Sequence, residues 1–402
     1  GRRLMHRLWV TLCSGLALAL VCIPLVAFGA GGAGASAADA DGALGEVIRA
    51  IEQRKTDEAL KKVDALLLRY PNFRLAHLIR GDLLLARTRP LSTFGNSPDA
   101  PAEKLADLRE EAVARLKAYR NRPPSNYVPR YLLQMEPDQK FAIVVDTQRS
   151  RLYIYQNDSG RPRFVADYYI AHGKLGAEKT REGDKRTPVG VYHVTANLPR
   201  QKLSDFYGSG AFPINYPNEW DRQQGRNGHG IWLHGTPSDT YSRPPRASDG
   251  CVVLTNQDLD ALSGYLQVGL TPVIISNTIE WLSLDDWASE RSALNREIEA
   301  WRKDWESRDV DRYLAHYSRS FRNNEGDFAQ WSQQKRLVAK SKSWVKVDLS
   351  KLSVFRNPGK EDMIVVTFEQ DYRSNNLSNV LKKRQYWIKE GGRWKIIYEG
   401  FA

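Results

Sequence analysis

The sequence predicts a multidomain α+β protein with an N-terminal helical module, a central, mostly antiparallel β domain and a C-terminal α+β domain. Three observations carry this prediction. Apolar residues recur at helical spacing through residues 43–120, the period changes to two from Lys140, and the stretch beyond residue 284 runs helices first and strands second. A chain of 402 residues suits two or three such domains. Its hydrophobic fraction of 42% and charged fraction of 26% are those of a globular protein and exclude a disordered chain. Only one apolar run is long enough to cross a bilayer, which excludes a multi-span membrane protein.

Residues 1–37 read as an export signal. Arg2, Arg3 and Arg7 precede an apolar stretch from Leu8 to Phe28, and Ala35-Ser36-Ala37 offers an A-x-A cleavage site. The stretch is cleaved, or it stays as a single anchor; either way the destination is the periplasm or cell envelope. Two of the three cysteines, Cys13 and Cys22, fall inside it and leave Cys251 alone. One cysteine excludes an intramolecular disulfide and a multi-cysteine zinc cage. The signal also carries three arginines and no acid, so nine of the twelve excess positive charges belong to the rest of the chain. Outside the cytoplasm such an excess suits an anionic wall or membrane surface sooner than nucleic acid, or marks only a solvated basic surface.

Residues 38–125 form the helical module. Leu44, Val47, Ile48 and Ile51 lie at i, i+3, i+4 and i+7, and Leu60, Val63 and Leu67 extend the pattern. Tyr70-Pro71-Asn72 stops that helix, and Leu75, Leu78 and Ile79 begin the next. Pro71 through Ala76 to Gly81 resembles one tetratricopeptide-type hairpin. Solenoids need about three such units, so a single one packs on something else or on a second copy, which makes an oligomer through this module an expectation. Leu91 to Pro101 is a loop, a charged helix follows around Leu105, Leu108 and Ala112, and Arg122-Pro123-Pro124-Ser125 marks the boundary.

Residues 139–276 form the β domain. Phe141–Val145 is a buried-strand run, and the turn Thr147–Ser150 leads into the alternating Arg151–Tyr155. Strands are expected again at Phe164–Ile170, Val189–Thr195, Gly230–Leu233, Cys251–Leu254 and Thr271–Ile275. One short helix fits near Asp258–Leu266, capped by Thr255 or Asn256.

Residues 285–402 open with a helix bearing Ile298, Trp301 and Trp305, then Tyr313 and Tyr317 after a break. Strands follow at Met363–Phe368 and Arg384–Ile388, the latter joined through Glu390-Gly391-Gly392-Arg393 to Trp394–Tyr398. The order and the closing Gly-Gly hairpin resemble the nuclear transport factor-like cone.

Chemistry concentrates in His229–Pro237 and Ser248–Leu254. His234 ends one strand and Cys251 starts the next, 17 residues later. A free thiol ionises near pH ~8.5, and a neighbouring imidazolium lowers that value enough to supply thiolate at neutral pH. Gly250 leaves room for a carbonyl to approach, and the backbone N–H groups of the Asp249–Cys251 turn can converge on an oxyanion. The Gly235 carbonyl is the nearest group to orient the imidazole. A lone cysteine on an apolar strand is more often a core residue, but the Ser/Asp/Gly turn and the His-Gly strand end outweigh that reading. His229 lies an odd number of residues from His234, in a turn, and is at most a rim residue. A zinc site of His229, His234 and Cys251 lacks a fourth ligand, so no metal or other cofactor is expected.

These residues carry a resemblance. Ile231–Gly235 with Thr236, Ser248-x-Gly250-Cys251 and Val268–Ile274, together with Gly173-Lys174 and Thr187–Tyr192 upstream, resemble the L,D-transpeptidase (YkuD-type) catalytic domain over residues 139–276. Phe212–Asn218 is similar to the murein-trimming branch, and a transport factor-like C-terminal domain resembles the cell-shape L,D-carboxypeptidases. Many members have arginine two residues after the cysteine, where this chain has Val253. The resemblance implies that Cys251 attacks the third residue of a peptidoglycan tetrapeptide stem and expels D-Ala, with His234 as general base and then acid. An amine of another stem, a murein-linked protein or water then resolves the thioester. It further implies that Tyr216, Trp232, Ser248 and Arg246, with Arg243, contact substrate; the alternatives are that the aromatics are core and the loop arginines merely solvated.

An exported L,D-transpeptidase is therefore the leading expectation, ahead of an L,D-carboxypeptidase or murein–protein amidase using the same residues. A non-catalytic cell-wall scaffold is the expectation of a different class. An exposed thiol without a use is costly in an oxidising compartment, which weighs against the scaffold.

Overall fold

The protein is described from a computed structural model covering residues 39–88, 95–96 and 100–402. The expected export signal, and most of the expected 91–101 loop, lie outside those residues. The chain divides into two compact units: residues up to Arg122 together with Thr236–Pro245, and Pro123–Gly235 together with Arg246–Ala402.

The first unit is a bundle of α1 (Ala40–Glu52), α2 (Thr56–Arg69), α3 (Arg74–Leu85) and α4 (Ala102–Arg120). The helical spacing read from the sequence becomes its core: Leu44, Val47, Ile48, Ile51, Val63, Leu75 and Ile79 are buried. In α2, Leu66 is buried while Leu60 and Leu67 only lean on the core. The charged helix α4 is less simple than its sequence, because Glu111 and Arg115 are buried. Arg115 reaches Asp41 at 2.7 Å and Ser242 Oγ at 2.8 Å, and Ser242 Oγ donates to Glu111 at 2.7 Å. Burial pushes the Glu111 carboxyl above its ordinary value, against the pull of Arg115. The sequence reading placed 236–245 in the β domain; instead this segment joins the helical core. Tyr241 is buried there, 4.4 Å from Tyr70 and 4.8 Å from Phe73 between ring centres.

The second unit holds the remaining elements. These are β1 (Tyr127–Pro129), β2 (Leu132–Gln134), β3 (Phe141–Asp146), β4 (Arg151–Asp158), β5 (Arg161–Tyr169), β6 (Gly190–His193), β7 (Ala211–Pro213), α5 (Glu219–Gln223), β8 (Trp232–His234), β9 (Val252–Val253), α6 (Asn256–Ser263), β10 (Pro272–Ser276) and β11 (Trp281–Ser283). A five-stranded sheet runs β5-β4-β3-β10-β6 and a three-stranded sheet β7-β8-β9. Ile143, Val145 and Leu152 face one core, with Leu233, Val252 and Leu259, while Ala142, Val144 and Tyr153 face another. Burial on both faces is why Phe141–Val145 reads as a continuous apolar run rather than an alternation. Most pairings are antiparallel, but β3–β10 and β8–β9 are parallel. Thr255 caps α6, accepting from Asp258 N–H at 3.1 Å.

After β11 come α7 (Leu284–Glu306), α8 (Val310–Leu314), β12 (Arg322–Asn323), β13 (Gly326–Asp327), α9 (Phe328–Lys340), β14 (Val345–Arg356), β15 (Met363–Ser374), β16 (Ser378–Glu390) and β17 (Arg393–Phe401). The long strands form the sheet β17-β16-β15-β14-β2. Helix α9 and strand β14 lie where the sequence reading expected no element. Of their apolar residues Trp331, Val347, Val354 and Phe355 are buried and the others are half-buried or exposed, so the periodic signal is weak. Trp301, Trp387, Phe368 and Ile396 fill the core between α7 and this sheet. Buried Glu399 is held at 2.8 Å by Tyr317 Oη and at 2.6 Å by Gln385 Nε2. Burial raises its pKa, but Lys383, Lys335 and these hydrogen bonds leave the carboxyl net below its ordinary value. A cavity of about 240 Å³ lined by Trp305, Tyr313, Lys335 and Tyr372 opens into this part of the unit.

Among the described residues, no helix is long and apolar enough to cross a membrane.

Candidate active site

The parallel pairing of β8 with β9 sets Leu233 opposite Val252 and His234 opposite Val253. A parallel pair needs a crossover of a dozen residues or more, which is what the long His–Cys spacing supplies. Cys251 precedes β9 and extends this register to Trp232. The Trp232 N–H donates to Cys251 Sγ at 3.4 Å, and the thiol donates to the Gly230 carbonyl at 3.3 Å. Cys251 is half-buried, and it is the free cysteine of the described residues.

His234 is buried, and its Nδ1 lies 2.7 Å from the Gly235 carbonyl. A carbonyl only accepts, so Nδ1 carries the proton and Nε2 is left as the basic nitrogen. The ring is walled by Tyr207, edge-on at 5.1 Å, and by Phe206 at 5.8 Å. Gly235 donates its N–H to the Tyr207 carbonyl at 2.9 Å, and a Cβ there would meet Asn256 Oδ1 at 2.0 Å. The Nδ1 acceptor is thus fixed from two sides.

The turn before the cysteine is equally constrained. Gly250 has φ +135°, and a Cβ on it would sit 2.7 Å from the Arg186 carbonyl oxygen. Ser248 Oγ donates to the Cys251 carbonyl at 2.6 Å and accepts from the Gly250 N–H at 3.2 Å. Two expectations change here. The Gly250 N–H, expected to serve an oxyanion, is engaged by Ser248. Ser248, expected to touch substrate, is buried and holds the turn. Asp249 is exposed and pairs with Lys174 at 2.9 Å.

Tyr216 was expected to line a groove but is buried, donating its hydroxyl to the Asn227 carbonyl at 2.9 Å and packing edge-on against Tyr192. Burial pushes its phenol above the ordinary value. It lies in the loop between β7 and α5 and packs into the same core cluster as Phe212, Ile214 and Ile231. Trp232 is half-buried and lies 4.9 Å from Tyr207. Arg246 is exposed, whereas Arg243 is half-buried and belongs to the helical unit. His229 is exposed, with Nδ1 3.4 Å from Glu182. Among the described residues no three His, Cys, Asp or Glu side chains cluster as metal ligands.

Sequence reasoning missed Phe206 and Tyr207. Their place beside His234 comes from a backbone bond between segments 28 residues apart, Gly235 to Tyr207, which no local spacing announces. The one available signal was an adjacent aromatic pair ahead of Gly208-Ser209-Gly210.

Comparison with known proteins fits this geometry. Residues 140–275 match the L,D-transpeptidase catalytic domain family, described as YkuD, and residues 293–400 match the Cds6 C-terminal NTF2-like domain. The putative L,D-transpeptidase YafK of Escherichia coli K12 is 33% identical over 108 residues, which is 26% of this chain and 39% of that protein. The chain therefore spans well under half of that relative. Bd1075 of Bdellovibrio bacteriovorus superposes with a TM-score of 0.61 at 29% identity, over 69% of this chain and 98% of that one. The helical cell shape determining protein Pgp2 of Campylobacter jejuni gives 0.58 at 25% identity, over 67% and 95%.

Proposed function

From a chain that carries an L,D-transpeptidase catalytic domain and a Cds6-type NTF2-like domain, we propose a cell-envelope cysteine acyltransferase acting on the peptide stems of peptidoglycan. The observation that supports it most is the seat of Cys251 Sγ, between the N–H of Trp232, which opens the strand that ends in His234, and the carbonyl of Gly230 just before that strand. The Trp232 N–H still faces the sulfur once the thiol proton now held toward the Gly230 carbonyl is removed, and a histidine locked through Nδ1 presents a basic Nε2.

The reaction runs in two halves. Nε2 of His234 takes the thiol proton, and Sγ bonds to the carbonyl carbon of the third stem residue. The tetrahedral oxyanion collapses, the C–N bond to the terminal D-Ala breaks, and the leaving amine takes the proton from His234. An amine of a second stem then attacks the thioester, gives its proton through His234 to Sγ, and leaves a new amide. This is L,D-transpeptidation. A second reading has water in place of that amine, which makes the enzyme an L,D-carboxypeptidase. Val253, where many members of the family have arginine, is the observation that favours that alternative.

Incubation with purified tetrapeptide muropeptides, resolved by mass, separates the two. Cross-linked dimers or exchanged D-amino acids support transpeptidation, and tripeptides alone support carboxypeptidation. Stems left intact by the wild-type protein overturn both.

A further inference from the structure

Thr187 is fully buried and lies outside the His234–Cys251 strands. Its backbone is fixed on both sides: its N–H donates to the Gly176 carbonyl at 2.9 Å and its carbonyl accepts from Lys179 N–H at 3.2 Å. The side-chain hydroxyl both accepts and donates: it accepts from the Gly173 N–H at 3.0 Å and donates to the Gly250 carbonyl at 2.8 Å. Both of those neighbours are glycines for a steric reason. A Cβ on Gly173 would meet the Lys185 carbonyl oxygen at 2.6 Å, and a Cβ on Gly250 the Arg186 carbonyl oxygen at 2.7 Å. Segment 185–187 is thus wedged against the backbones of both.

The Gly250 carbonyl and the Cys251 N–H belong to one planar trans peptide and point in opposite directions across it. Whatever fixes the carbonyl fixes the N–H. Gly250 lies at φ +135°, where a glycine peptide has wide rotational freedom, so the orientation of that plane is not set by the local chain. The Gly250 N–H, on the preceding peptide, is engaged by Ser248 Oγ. We propose that Thr187 is a positioning residue: its hydroxyl clamps the Gly250 carbonyl and thereby aims the Cys251 N–H at the oxyanion formed when Sγ attacks. This rests on the acyl-transfer reading of Cys251.

The test compares Thr187→Val, which keeps the shape and removes the hydroxyl, with Thr187→Ser, which keeps the hydroxyl. Two rates are read: turnover of tetrapeptide muropeptides, which forms an oxyanion, and alkylation of Cys251 by iodoacetamide, which does not. The loss of an oxyanion donor costs about 100- to 1,000-fold, and a misaimed one less, so kcat of Thr187→Val is expected to fall about 10- to 100-fold. KM and the alkylation rate are expected to stay within about twofold, and Thr187→Ser to restore kcat to within about threefold. Should valine not be accommodated, Thr187→Ala carries the same comparison. An unchanged kcat, an equal fall in turnover and alkylation, or a failure of serine to restore turnover overturns the proposal. If wild type turns over no faster than Cys251→Ala, the acyl-transfer reading itself fails.

Discussion

At the residue scale, the approach of the His234 strand to the Cys251 strand was legible: a thiol beside Gly250 and a histidine beside Gly235 stand at crossover distance in the sequence, and β8 pairs with β9. The supports of these two residues were not. Ser248 and Tyr216 were read as substrate contacts but face inward, since strand ends and turns do not reveal which side is solvent. His234→Ala is expected to lower kcat by about 100- to 10,000-fold in a muropeptide assay, with the fold intact by circular dichroism. Gly250→Ala places a Cβ against the Arg186 carbonyl oxygen at a φ that disfavours side chains. A strained residue costs about 1–3 kcal/mol, so this variant is expected to melt earlier and to lose turnover together.

At the element scale, periodicity found α1 to α3 and the buried strands, because their apolar residues repeat with the element's own period. It read α4 as merely charged. The partners that bury Arg115, Asp41 and Ser242, lie 74 and 127 residues away in sequence, beyond any helical window. Removing one member of a buried ion cluster strands the others, at a cost of about 3–5 kcal/mol. Arg115→Ala is therefore expected to unfold the helical unit at a clearly lower urea concentration, followed by tryptophan-free signals such as far-ultraviolet dichroism. An unchanged midpoint would show that Asp41 and Glu111 do not depend on Arg115. The same long-range problem hid the placement of 236–245, whose polar sequence gives no hint that Tyr241 completes a helical core.

For the whole molecule, the fold class and the order of its parts were legible, and the grouping into two units was not, because it depends on contacts rather than on composition. Two half-buried groups contribute to its response to acid. His193 is pushed down to about 4 by burial first and by Arg384 and Lys382, so it stays neutral in the folded state. Asp184 is held down to about 2 by the Lys179 ammonium and the Thr180 and Arg181 N–H groups, which outweigh its burial. Both values are depressed, so both contributions are present at neutral pH and lost as pH falls. The loss runs from about 6.5 to 4 for His193 and from about 4 to 2 for Asp184. Urea midpoints at pH 7, 5 and 4 are expected to fall in that order, and His193→Gln to flatten the slope. A slope that survives His193→Gln unchanged would assign it to other groups.

The central claim is that the Cys251 thiolate opens the stem peptide. The most direct measurement is the release of D-Ala from purified tetrapeptide muropeptides by the wild-type protein and by Cys251→Ala, at equal concentration and with matched folding. D-Ala released by the wild type and absent from the variant is the predicted result. Equal release by both proteins, or release by neither, would contradict it.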